Sequence, residues 1–134
     1  MKLSYAITAC NESKELYALI SFLKSVKDPE DEINVLLDTL HTTETMRSVL
    51  GHFKDDIVLN ERDFCGNFSD HRNFHLKKCT GDYIFVVDAD EMPKEWKLQY
   101  RRLQSKCFEI NWMSLHKHLY FHWNQDLLLL LILV

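Results

Sequence analysis

The sequence predicts an α/β fold built on a parallel sheet with flanking helices, and two observations carry that expectation. Short apolar runs alternate with segments whose apolar residues recur every three or four positions, and the runs close on polar residues of one kind: Asn11-Glu12, Asp38 and Asp88-Ala89-Asp90-Glu91. Strands alternating with helices at this spacing imply βαβ crossovers and parallel strands. In such sheets ligands bind beyond the carboxyl ends of the strands, near the point where strand order reverses. The polar strand ends are therefore expected along one rim.

Each element has its own signal. Leu3 to Ala9 is an apolar run bounded by polar residues, as in a buried strand. From Ser13 the pattern becomes Leu16, Leu19, Ile20, Leu23 and Val26, one face of a helix that Asn11 or Ser13 is placed to cap. Asp28-Pro29 breaks it, because the residue before proline avoids the helical region. Ile33 to Leu37 reads as a second strand ending at Asp38. Thr42 to Phe53 reads as a helix with Met46, Val49, Leu50 and Phe53 on one side, and Ile57-Val58-Leu59 as a brief third strand. Asn67 with Asp70 three residues on resembles a helix cap that opens a helix from Phe68 to Cys79, with Gly81 marking its end. Tyr83 to Val87 is the fourth strand.

Composition narrows the function. A chain of 134 residues has room for one domain. Its formal net charge of -4, with no stripe of Lys or Arg, argues against a nucleic-acid partner. Cys10, Cys65, Cys79 and Cys107 form no C-x-x-C pair, so reduced thiols are expected rather than a disulfide framework or zinc knuckle. The N-terminus enters a strand at once, without a secretory pattern, which makes a cytoplasmic location the expectation. The eight apolar residues Leu127 to Val134 fall short of the roughly 20 that a spanning helix needs, so no transmembrane segment is expected. That run fits a buried strand, a tail helix on the sheet, or a segment not selected to fold. His118 and His122 would form an i,i+4 metal pair if helical, but no acid or thiol partner is close. The three glycines lie far apart, and no G-x-G-x-x-G or P-loop occurs.

The acids after the fourth strand are the sharpest feature. Clustered carboxylates at a sheet edge repel one another unless a cation sits among them. Residues two apart on an extended segment point the same way, so Asp88 and Asp90 are able to converge on one hard cation. The plainer reading of such acids is a solvated turn, of Asp38 a turn start, of Asn11 a helix cap, and of Arg72 a surface helix residue.

Thr8-Ala9-Cys10-Asn11-Glu12, Phe68-Ser69-Asp70-His71-Arg72-Asn73 and Gly81 to Glu91, in that order, resemble the donor half of family 2 glycosyltransferases of the GT-A type, over roughly residues 1–96. The resemblance implies a Rossmann-like GT-A nucleotide-sugar-binding sheet over residues 1–100, truncated, with a C-terminal segment at 101–134 whose structure the pattern leaves open. It implies that Ala9, Asn11 and Glu12 border the nucleotide, Asp38 contacts the base, and Arg72 is the basic position on the helix before the D-x-D strand. Asp88 and Ala89 would lie near the ribose, and Asp90, with Asp88, would hold Mg²⁺ or Mn²⁺ against the diphosphate. Glu91 would order the loop or act through a water.

The implied activity is metal-dependent, inverting transfer of a sugar from a nucleoside-diphosphate sugar, a UDP-sugar first, to an unidentified acceptor that is either soluble or membrane-associated. A hard cation would stabilise charge on the departing diphosphate. An inverting reaction also needs a carboxylate base, which the family places well beyond the D-x-D, and the last third offers only Glu109 and Asp126. The alternative is a non-catalytic nucleotide-sugar or metal-binding module. A phosphoacceptor domain would want a lysine after a late strand, and a dehalogenase-like phosphatase carries its D-x-D on the first strand.

Overall fold

The structure, a computed structural model, describes residues 2–90 with their side chains and the backbone of two further strands, 119–123 and 127–133. The order is β1 (Leu3–Ala9), α1 (Ser13–Val26), β2 (Glu32–Asp38), α2 (Glu44–His52), β3 (Val58–Arg62), α3 (Phe68–Leu76), β4 (Tyr83–Asp88), β5 (Leu119–Trp123) and β6 (Leu127–Leu133). The sheet runs β3-β2-β1-β4-β6-β5. Its first four strands are parallel, whereas β6 pairs antiparallel with β4 and β5 with β6. Strand order reverses between β1 and β4, which makes their carboxyl ends the topological switch point.

Strand alternation sorts the core into two faces. Tyr5, Ile7, Ile33, Val35, Leu37, Phe85 and Val87 pack with Leu16, Leu19, Ile20 and Leu23 of α1 and Met46 and Leu50 of α2. On the other face Ala6 and Ile84 meet Cys79 and Leu76 around α3. The four α1 leucine and isoleucine side chains are wholly buried. Truncating one to alanine costs about 2–5 kcal/mol.

Several local expectations need correction. No side chain caps α1: its first boundary residue is Glu12, and neither Asn11 nor Ser13 fills that role. The caps of α2 and α3 are Thr43, accepting from the Met46 amide, and Asn67, accepting from the Asp70 amide. Helix α3 stops at Leu76, short of Cys79. Gly81 is not its terminator. A Cβ there would sit 2.7 Å from the backbone nitrogen of Ser4, so the glycine permits close approach to β1. The C-terminal apolar run is a strand that covers the outer edge of β4. His118 lies outside the described residues, and His122 falls on β5, where a helical pairing does not apply.

Candidate functional site

Period-two alternation aims Thr8, Asp38 and Asp88 at the α3 face of the sheet, because Thr8 pairs with Asp88 on one side and Leu36 on the other, two residues before Asp38. Helix α3 covers that face and brings Phe68, His71 and Arg72 to the same place. The loop from β3 adds Phe64. Together with Ala9, Cys10, Glu12, Ala89 and Asp90 they line a cleft of about 320 Å³ at the carboxyl end of the sheet. Buried Ala9 and Ala89 keep its floor free of bulk.

Asp38 is 6 % exposed. Its Oδ1 accepts from the amides of Leu40 at 3.0 Å and Phe64 at 3.2 Å, and its Oδ2 lies 2.6 Å from His41 Nδ1. Burial alone would push this carboxyl up. The bonds from His41, Leu40 and Phe64 outweigh it and hold Asp38 below the usual carboxylate range. The Cys10 thiol points at Asp38 Oδ2 from 3.8 Å, and burial, followed by the Asp38 and Glu12 charges, raises its pKa, so it stays a thiol.

Arg72 reaches inward. Its Nη2 donates to both oxygens of Asp88, at 2.8 and 3.1 Å. Both side chains are more than a third exposed, so the pair contributes less than about 1 kcal/mol to stability. What it does fix is a guanidinium beside the cleft. Glu12 turns back to accept from the amides of Cys10 and Asn11 at 2.9 and 3.1 Å, shaping the turn after β1. Asp90 is exposed and makes no hydrogen bond or ion pair among the described residues.

Most of the expected residues thus meet. Ala9, Glu12, Asp38, Arg72, Asp88, Ala89 and Asp90 share the cleft wall. Asn11 is exposed and stands outside that wall, and Glu91 lies outside the described residues. The sequence reading gave no role to Thr8, Phe64, Phe68 or His71. Alternation with Asp88 was the available signal for Thr8, and the step of one residue from Arg72 was the signal for His71. Both carry buried polar atoms with no partner among the described residues: Thr8 Oγ1 and the two ring nitrogens of His71.

No group of three or more His, Cys, Asp or Glu side chains among the described residues makes a ready metal cage. The donor set fits a different arrangement. A small hard divalent ion keeps waters and takes only one or two carboxylates when phosphate oxygens supply the rest. Asp88 and Asp90 are two carboxylates on one cleft wall, but both oxygens of Asp88 already accept from Arg72, and β4 ends at Asp88, so Asp90 follows on a turn rather than on an extended strand.

Helices on both faces of a sheet whose first four strands are parallel, with an acid-rimmed cleft at the switch point, define a doubly wound α/β domain. The chain belongs to glycosyl transferase family 2, whose profile matches residues 4–122. A search of curated proteins found no match. Among solved structures it is similar to S. aureus TarS 1-349 in complex with UDP-GlcNAc, at 21 % identity and TM-score 0.61, covering 81 % of this chain and 32 % of that one. It is similar to glucosyl-3-phosphoglycerate synthase from Mycobacterium tuberculosis with Mn²⁺, UDP and glucosyl-3-phosphoglycerate, at 16 % and 0.59, over 74 % of this chain and 37 % of that one. The mannosyltransferase PcManGT from Pyrobaculum calidifontis, in complex with GDP-Man and Mn²⁺, matches at 17 % and 0.56, over 72 % and 30 %. The fold is GT-A, and the chain spans about a third of the length of these structures. Among the described residues, no helix is long and apolar enough to cross a membrane.

Proposed function

We propose that residues 1–100 bind a nucleoside-diphosphate sugar, a UDP-sugar first, in the cleft at the β1/β4 switch point, and that the protein serves transfer of the sugar with inversion. One observation carries the reading: acids from the ends of β2 and β4 and the guanidinium of α3 converge on a single cleft. Asp38, held ionised and oriented by Leu40 and Phe64 amides, is placed to accept from a base. Arg72 shares its charge between Asp88 and any anion entering beside it. Asp90, with Asp88, would hold Mg²⁺ or Mn²⁺, which when bound stabilises charge on the diphosphate leaving group.

A binding module without turnover is the second reading, and the cleft itself favours it in one respect. Inverting transfer needs a free carboxylate to take the acceptor proton, yet among the described cleft acids Glu12, Asp38 and Asp88 are committed to amides, to His41 or to Arg72, and the fourth, Asp90, is the one given to the metal. Calorimetry with UDP, with and without Mn²⁺, tests the shared part. Binding should require the metal and weaken at least about tenfold in Asp90→Asn; affinity that survives both a chelator and Asp90→Asn contradicts the metal role. Release of free sugar from a UDP-sugar panel then separates enzyme from module.

A further inference from the structure

Strand β3 is the open edge of the parallel half of the sheet. Arg62 turns its carbonyl toward β2, where it accepts from the Thr39 amide. Backbone groups alternate sides along a strand, so Val58 and Asn60 face β2 as well, and Leu59 and Glu61 present their N–H and C=O groups outward. Those outward groups have no partner among the described residues. The usual guards of a free edge are missing too. Val58 to Arg62 contains no proline, no lysine and no bulge, and its charges are neutralised within the chain, Glu61 by Arg47 at 2.8 Å and Arg62 by Asp70 at 2.6 Å. Val58 and Leu59 are 44 % and 42 % exposed.

We propose that β3 is a self-association edge, on which a second copy of this chain lays its own β3 antiparallel about a two-fold axis at Asn60. The outward groups set that register. Leu59 of one copy then stands opposite Glu61 of the other, and each such pair exchanges both of its backbone hydrogen bonds. Val58 stands opposite Arg62, and no like charges meet. Centring on Glu61 instead would set two carboxylates face to face. The flanking helices add charge complementarity. Helix α3 runs back along the strand: Asp70 near its start meets Arg62 at the carboxyl end of β3, and Lys78 just past its end bonds through its carbonyl to Asn34, the partner of Val58. In the antiparallel pair the two α3 helices run oppositely, so exposed Asp70 of one copy lies toward exposed Lys77 and Lys78 of the other. That match favours a second copy over an unrelated segment. An edge of five residues is small, which puts the pair in the weak, concentration-dependent class. The cleft opens beside β1 and β4, so the inference does not depend on the ligand proposed there.

Sedimentation of the full chain from about 1 to about 500 µM reads the association, with thermal unfolding of each variant to check its fold. Wild type should dimerise reversibly. Leu59→Pro removes an outward N–H and none that faces β2, so it should weaken association at least about tenfold with little change in melting temperature. Leu59→Glu sets a carboxylate against Glu61 of the other copy and should weaken it about tenfold as well. Leu59→Lys sets an ammonium there and should stay within about threefold of wild type. A wild type that remains monomeric throughout overturns the second copy and leaves the edge to a foreign extended segment. Association unchanged in a folded Leu59→Pro, or lost equally in Leu59→Glu and Leu59→Lys, also overturns it. If Leu59→Pro does not fold, the comparison of Leu59→Glu with Leu59→Lys decides alone.

Discussion

Two histidines one turn apart on α3 divide the molecule into a closed end and an open one. His75 lies toward the amino ends of the strands, where its Nε2 sits 3.2 Å from the Asn34 carbonyl and 3.1 Å from Asn34 Oδ1. Asn34 in turn donates to the Lys78 carbonyl and accepts from Asn60. Beside it Glu32 accepts from Ser4, from the Thr80 amide and hydroxyl, and from Lys2, while Asp31 holds the Leu3 and Asp28 amides. At the carboxyl end His71 and Thr8 have no partner among the described residues, and Asp90 stands in solvent. The same residue types thus do two jobs. Where the network is complete it ties segments far apart in sequence; where it is incomplete, as at Thr8 and His71, buried polar atoms stand without partners among the described residues beside the cleft.

Acid should break the closed end first. Burial holds His75 down at about 4 against Asn34, and hydrogen bonds overcome burial to bring Glu32 to about 2. Because the unfolded chain binds protons that the folded chain refuses, stability is full above pH 6.5. It falls as pH drops from 6.5 to 4 through His75, by roughly 3 kcal/mol, with His71, lowered by burial, adding in the same direction below 6.5, and further from 4.5 to 2 through Glu32. Asp31, raised by burial, works in the opposite sense. Urea unfolding across this range checks the slope, and a flat profile between pH 6.5 and 4 would remove His75 from the account.

Glu32→Ala should cost about 3 kcal/mol in urea unfolding, since it strands Ser4, Thr80 and Lys2 together. Gly81→Ala should cost about 2 kcal/mol, because its Cβ meets Ser4 backbone rather than a yielding side chain. Arg72→Ala inverts the pattern. It should change stability by less than about 1 kcal/mol yet weaken UDP binding by at least about tenfold. Equal stability losses at Glu32 and Arg72 would erase the distinction between the two ends.

Much of this arrangement was legible in the sequence because it is local. The 3–4 spacing of Leu16, Leu19, Ile20 and Leu23, the apolar runs of β1, β2 and β4, and the acids that close them all express one element at a time. Non-local features were harder to read. The run at Leu127 to Leu133 has no alternation of its own and becomes a strand by pairing with β4. Gly81 looked like a helix terminator because nothing nearby in sequence reveals Ser4 pressed against it. His71 and His75 carry the same side chain on the same helix and are equally buried, and only the tertiary neighbour Asn34 decides which is satisfied.

The central claim is that the open end completes its valence with a metal-bound diphosphate. Electron paramagnetic resonance of free Mn²⁺ measures this most directly, titrating the protein with and without UDP. The account predicts that the free-ion signal falls below the level set by UDP alone only when protein and UDP are both present, and that Asp90→Asn abolishes the extra loss. An Asp90→Asn variant that depletes free Mn²⁺ as fully as wild type would contradict it.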